Sequence, residues 1–428
     1  RRVLFRSDKE QQADVRIMRD GVTGQLYELD TIQAYRHNPT VYVELAGNAL
    51  YVPYVLNYAP KEQRFSHIIR RMEKLPTLMA QARGNLLDAP EVWNRVAREE
   101  NEGNIELIDK TLRAECPPSL QISYNSAAAQ AIAALKSFSD YLEKDLSQHT
   151  SDWRLGKEKY AKKFDYVLET GKTPQQLLAE AEADVKATHA EMQKLVALKT
   201  IRQALDEIAQ KHSTQESYMD DAKKTLAEAT EFVKQKGIVT LPSRANLEVI
   251  PTPEFMRGIY SVAGFNPAPA LQPELGAFYW VTPLSGPKEK VESKLREYND
   301  YGMRHITVHE AMPGHYVQLE YANDVQPKSR RLLRNIFGNG PYIEGWAFYT
   351  QQVMMEEGYL NNDPAFRLTF YKQLLRVLAN AILDIRLQTM GMTEQEALDL
   401  MMNEAFQEKA EAVGKYQRAQ LSSAQLPM

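Results

Sequence analysis

The chain has 428 residues, a formal net charge of −4 and 25% charged side chains. That length can bury a large core and gives a soft expectation of two or three domains. The weak acidic excess, without any long basic run, gives nucleic-acid binding no electrostatic support; the short Arg330, Arg331, Arg334 cluster reads as a solvated helix face.

Cys116 is the only cysteine, which excludes an intrachain disulfide and a cysteine-based metal site. No apolar run reaches the ~18 residues that span a bilayer, so no transmembrane segment is expected. The stretch from Arg1 to Lys9 is charged and lacks the apolar centre of a signal peptide.

In chain order, the first half reads as helical. Pro60 to Arg83 and Ala89 to Glu115 place apolar residues at helical spacing among charges, and Ser126 to Leu146 adds an alanine run. Thr173, Pro174 and Gln176 form an N-cap, a first-turn proline and a capping box. A long helix should follow, carrying Leu177, Leu178, Ala181, Val185 and Met192 on its apolar side. A second box, Ser213 to Glu216, is expected to open a helix that stops near Gly237.

The character changes after Lys236. Seven prolines between Ile238 and Gly286 forbid long helices, and Asn246 to Ile250 and Ala277 to Thr282 read as extended. The latter could be an edge strand to which a peptide adds, or a core strand of a small sheet; Tyr279 and Trp280 could line a cleft. Helical pattern returns at Glu289, and the Thr393–Glu396 box should open a helix to about Val413. The expected organisation is a mostly helical region over 1–236 and a catalytic region over 237–428. The fold class is mainly α with a small β-sheet insertion.

The chemistry concentrates in His305-Ile306-Thr307-Val308-His309-Glu310-Ala311-Met312-Pro313-Gly314-His315, which holds three of the eight histidines. A neutral imidazole can ligate zinc while the next carboxylate addresses a water beside the metal. The usual second histidine lies four residues on; here it lies six on, roughly 120° around an ideal helix. Pro313 and Gly314 fall in that gap, so His315 can join His309 only if the helix breaks there. His305, four residues before His309, shares its helical face. It could pair with it on a metal, or serve as a surface or supporting residue. Glu344, in Glu344-Gly345-Trp346-Ala347-Phe348-Tyr349 just after Pro341, is the leading third ligand; its alternative is a helix-start carboxylate stabilised by the dipole. Glu356 and Glu357 read as solvated.

These segments resemble the signatures of the bacterial domain of unknown function 885 family. The match rests on His309-Glu310-Ala311-Met312-Pro313-Gly314-His315 with Gln318, and on the segment opened by Glu344. It extends to Asp384 and the Gly391-Met392-Thr393 turn, and back toward Pro253 and Ser126. The resemblance implies a zincin-like helical metallohydrolase, with zinc held by His309, His315 and Glu344 and with Glu310 as base. It also slightly favours a periplasmic or secreted location. The chain departs from the family at Gln388, where a histidine is usual, and in lacking the family's closing Tyr and Gly.

The expected reaction is zinc-assisted hydrolysis of a peptide or small amide. Glu310 takes a proton from water and passes it to the leaving amine, and Tyr416 or Arg418 stabilises the oxyanion. Tyr342 and Tyr349 are further oxyanion candidates, and Asp384 could orient a ligand histidine or serve as a cap or ion-pair partner of Arg386. Two rivals share the sequence: a hydrolase of non-peptide amides or esters, and a metal-free helical binding protein.

Overall fold

A computed structural model of the chain describes residues 8–257, 260 and 262–428; residues 1–7 of the charged Arg1–Lys9 stretch lie outside them. The protein is mainly helical with one three-stranded sheet. No helix among the described residues is long and apolar enough to cross a membrane.

The chain divides into two compact units. The smaller comprises residues 28–153 and 252–261. Its main helices are Thr40–Val55, Lys61–Met72, Leu75–Asn85, Glu91–Glu106 and Gln121–Lys144, closed around Leu50, Phe65, Ile68, Leu135 and Phe138. Gly47 is where the returning segment comes close: a Cβ there would lie 2.7 Å from Phe255 Cδ2. The larger unit takes residues 1–27, 154–251 and 262–428.

The compact units do not follow a boundary at Lys236. Residues 154–236 belong with the C-terminal region, because the Pro174–Leu195 helix lies along the Pro364–Met390 helix. Ala181, Val185 and Met192 there join Leu375, Ala379 and Ile382 in one apolar cluster. The Thr173 capping box is present, with its hydroxyl accepting from Gln176 N and the Gln176 side chain accepting from Thr173 N. The second box is displaced. The helix runs Tyr218–Lys236 with Ser217 before it, because Thr214 and Ser217, not Ser213 and Glu216, exchange the reciprocal side-chain bonds. Its end at Gly237 is left-handed, with φ 63°.

The sheet has order β1-β3-β2, from β1 Leu247–Pro251, β2 Ala263–Asn266 and β3 Ala277–Val281. β1 runs parallel to β3, with Leu247 opposite Ala277; β2 runs antiparallel, with Ala263 opposite Val281. β3 is therefore the central strand and every residue of it is buried. Of the two readings of Ala277 to Thr282, the core strand holds and the edge strand does not, since both backbone edges are already paired. Tyr279 and Val281 pack with Val308 and Val317, which seats the helix Asp300–Glu310 on the sheet. Val308 is fully buried, and burying such a side chain stabilises by roughly 1.5–3 kcal/mol.

Two further expectations need correction. The Thr393–Glu396 box holds, but its α-helix covers only Glu394–Asp399 before a π-helical turn, Leu400–Glu404. The chain breaks at Phe406, φ 54°, and a separate helix runs Lys409–Ala419. The arginine cluster is not a solvated face: Arg330 pairs with Asp14 and Glu10, and Arg331 is buried and donates to the carbonyls of Ala270 and Val325.

Candidate metal centre

The helix Asp300–Glu310 is capped by Asn299, whose side chain accepts from Tyr301 N and Gly302 N. It stops at Glu310. The chain then folds back on its own last turn: Met312 N bonds to Thr307 O at 3.1 Å and Gly314 N to Val308 O at 2.9 Å. A new helix, His315–Asp324, opens on the second histidine. The break required by the six-residue spacing is thus present.

Gly314 makes that turn possible. A Cβ on it would lie 1.9 Å from His309 O and 2.3 Å from Val308 O, so the backbone approach excludes any side chain. The two imidazoles then meet edge to face, with centroids 4.6 Å apart. Trp346, on the helix Gly340–Glu356, fastens the loop by donating Nε1–H to the carbonyls of Pro313, 3.0 Å, and Gly314, 3.2 Å.

The same helix supplies Glu344. Its N-terminus is capped by Asn339, which accepts from Tyr342 N, with proline in the first turn. Glu344 Oε2 lies 3.3 Å from His309 Nε2 and 3.7 Å from His315 Nε2. The ligand atoms of the three residues all fall within 4.8 Å of one another. A tetrahedral zinc ion with bonds of about 2.0–2.2 Å separates neighbouring ligand atoms by roughly 3.4 Å. Two imidazole nitrogens and one carboxylate at this spacing fit that ion and leave its fourth position open.

The electrostatics are those of a closely packed ionisable group. Burial disfavours the charged form of Glu344, but the His309 hydrogen bond and the fields of His309, His315 and Arg418 prevail and push its pKa down to about 2. Burial also opposes a charge on His309, yet the Glu344 hydrogen bond and the carboxylates of Glu310 and Glu344 raise it above the usual histidine value. His315 goes the other way, down to about 3, through burial and repulsion from His309. Glu310 is raised to about 7, first by burial and then by Glu344, against the pull of His309, Arg418 and Arg376. Among the described residues its carboxyl has no hydrogen-bond partner, so it is available to a reacting proton.

Other sequence candidates separate. His305 does not join the centre. It is fully buried, stacks on Phe366 at 4.1 Å with the rings nearly parallel, and directs Nε2 to Phe366 O at 3.2 Å. Burial lowers its pKa to about 4, so it is a neutral core residue. Asp384 is also elsewhere: its Oδ2 accepts from Tyr160 OH at 2.7 Å and from Ala424 N at 2.8 Å, and it contacts no ligand histidine. Gln388 is occupied in the same region, accepting from Leu155 N and donating to Ser422 O.

On the Lys409–Ala419 helix, the charge of Arg418 acts on both Glu310 and Glu344. Tyr416 shares no hydrogen bond or ring contact with the site, and two residues along a helix point to different sides. Tyr342 and Tyr349 are more than half exposed. Glu356 is exposed, with Gln352 as its partner, and Glu357 is exposed as well.

Sequence reasoning missed Gln351. It stands 3.1 Å from His309 Nδ1, and its Oε1 is buried without a partner. Turning the amide by 180° lets Oε1 accept Nδ1–H, which leaves the Nε2 lone pair toward the metal position. The signal was available as spacing: Gln351 is seven residues after Glu344, two turns along the same face.

Comparison with solved structures finds the same fold. A "putative lipoprotein of unknown function" from Shewanella oneidensis matches with TM-score 0.76 and 31% identity, over 99% of this chain and 80% of that one. A "putative lipoprotein" from Colwellia psychrerythraea matches with TM-score 0.68 and 20% identity, over 86% of this chain and 68% of that one, and speaks to fold alone. No curated protein matches. The sequence matches the family described as "Bacterial protein of unknown function (DUF885)" over residues 3–428, and the chain belongs to that family.

Proposed function

We propose that this protein is a zincin-like, zinc-dependent hydrolase of peptide bonds. The observation that carries the reading is the convergence of His309, His315 and Glu344, from three helices, to within 4.8 Å, beside the unbonded carboxyl of Glu310. Zinc, when bound there, supplies Lewis acidity, polarising a carbonyl and lowering the pKa of water. The remaining work belongs to the chain. Glu310, held near pKa 7, takes the proton of the attacking water and delivers it to the leaving amine. Arg418, whose field already reaches both carboxylates, opposes the charge that develops on the carbonyl oxygen. Gln351 fixes the tautomer and orientation of His309.

Metal analysis tests this directly. The purified protein is expected to hold close to one equivalent of zinc, and Glu310→Gln to retain that metal while losing hydrolysis of a peptide library. Less than about half an equivalent, unchanged by a chelator, would sink the reading in favour of a metal-free binding protein. Hydrolysis of simple esters and acyl amides but of no peptide would shift it to a non-peptide substrate. The lipoprotein description of the Shewanella relative favours a cell-envelope location, which fractionation of the native host checks.

A further inference from the structure

The Lys409–Ala419 helix carries a basic side chain that the metal centre does not use. Lys415 is only 6% exposed. Lysine is rarely buried unless a counter-ion is beside it. The carboxylates nearby are already engaged. Arg376 Nη2 holds Glu411 Oε1 at 3.0 Å, and Lys372 Nζ holds Glu297 Oε2 at 2.9 Å, where Glu408 N also bonds at 2.7 Å. Lys294 adds to the positive field on Glu411. Among the described residues Lys415 makes no hydrogen bond and has no carboxylate within 4 Å; Glu411 and Glu297 act on it only at longer range. Burial, then Arg376 and Arg418, push its pKa well below the usual lysine value.

Position gives this amine a use. Arg418 is three residues on, one turn away on the same face. Arg418 and Arg376 both act on Lys415, and both act on Glu310; Arg418 acts also on Glu344. Lys415 therefore shares its arginine neighbours with the hydrolytic site without belonging to it, and its buried amine lacks the anion beside which it would hold a proton. One carboxylate supplied by a substrate would be that anion. A dianion would suit the place less well, because Glu310, Glu344 and Glu411 are close enough to these same cations to repel it.

We propose that Lys415 binds the C-terminal carboxylate of the peptide substrate, so that the enzyme acts from free C-termini and releases short fragments. The proposal rests on the metal-hydrolase reading for the reaction: one water is consumed per bond, its hydroxyl going to the carbonyl carbon and its proton to the departing amine. The carboxylate site itself can be tested without turnover.

The probes are N-acetyl-tetra-alanine as the free acid, the same peptide as its C-terminal amide, and an amide analogue with glutamate at the last position. Each is titrated calorimetrically into zinc-loaded Glu310→Gln protein and into metal-free protein. The free acid is expected to bind at least about tenfold more tightly than the amide. Lys415→Met should erase that preference, and Lys415→Arg should keep most of it, with zinc content unchanged in both. Replacing an unpaired buried amine by an apolar chain of similar length should leave the melting temperature equal or higher, which separates loss of binding from loss of fold. Equal affinity for acid and amide, persistence of the preference in Lys415→Met, or no binding of the free acid at millimolar concentration overturns the proposal. Equally tight binding of the glutamate amide overturns the C-terminal assignment, since a side-chain carboxylate would then suffice. Absence of zinc with the acid preference intact would remove the hydrolase reading and leave the carboxylate site standing.

Discussion

Asp384 offers the sharpest quantitative prediction because its environment is so one-sided. The carboxyl is fully buried, Oδ2 accepts two hydrogen bonds, and Oδ1 has no partner. Burial dominates over the Tyr160 and Ala424 hydrogen bonds and the more distant Lys163, and raises the pKa from 3.8 to about 7. The sign follows from proton counting. Between about pH 4 and pH 7 the unfolded chain has released this proton while the folded protein still holds it, so stability falls as pH rises through that window. Above pH 7 the folded protein carries the full penalty of a buried carboxylate. A shift of about 3 units at 1.36 kcal/mol each makes that penalty on the order of 4 kcal/mol. Asp384→Asn keeps an acceptor for Tyr160 and Ala424 but cannot ionise. It should be close to neutral at about pH 4 and clearly stabilising at pH 8, read as a rise of several degrees in the melting temperature relative to wild type. Zinc content should not change, since Asp384 contacts no ligand. A variant-minus-wild-type difference that is the same at both pH values would refute the reasoning.

Other perturbations follow from the site. Gly314→Ala places Cβ against the carbonyls of His309 and Val308, and should cost about 3 kcal/mol or more and abolish zinc binding, whereas Gly345→Ala, with no atom within 4 Å, should retain zinc; equilibrium dialysis and thermal melting compare the two. Gln351→Leu should weaken zinc affinity by about 10–100-fold, measured by competition with a chromogenic chelator, while the fold is kept. Lys372→Met leaves Glu297, which is buried, without its cation and should destabilise by about 3–5 kcal/mol in denaturant unfolding; a change below about 1 kcal/mol would show that Glu408 N alone satisfies it.

What was legible in the sequence was local chemistry. The Thr173 and Thr393 boxes and the Gly237 stop hold because each depends on residues within one helical turn. The Thr200–Gln203 box obeys the same rule and could have been read the same way. Ser213–Glu216 failed because several hydroxyls compete in that stretch, and Ser217 paired with Thr214 instead. β2 was missed because Ala-Gly-Phe-Asn has no alternation; it is a strand only through its pairing with β3. His305 shows the limit most clearly. Spacing alone put it on the His309 face, but Phe366, sixty-one residues away, takes its ring into the core.

The candidate metal site divides along the same line. The irregular spacing of His309 and His315 was itself a structural instruction, since it demands a break and the two residues best able to make one lie inside the gap. Gly314 answers that demand through a close backbone contact, which a sequence encodes plainly as a glycine. Gln351 and Lys415 are different. Neither has a motif, and what singles each out is a relation among distant helices: an acceptor that meets His309, and a carboxylate that never meets Lys415. A missing partner leaves no trace in a linear sequence. It becomes visible only when the neighbouring charges have been paired off, and this is why the candidate substrate anchor emerges from the fold and the candidate metal ligands from the chain.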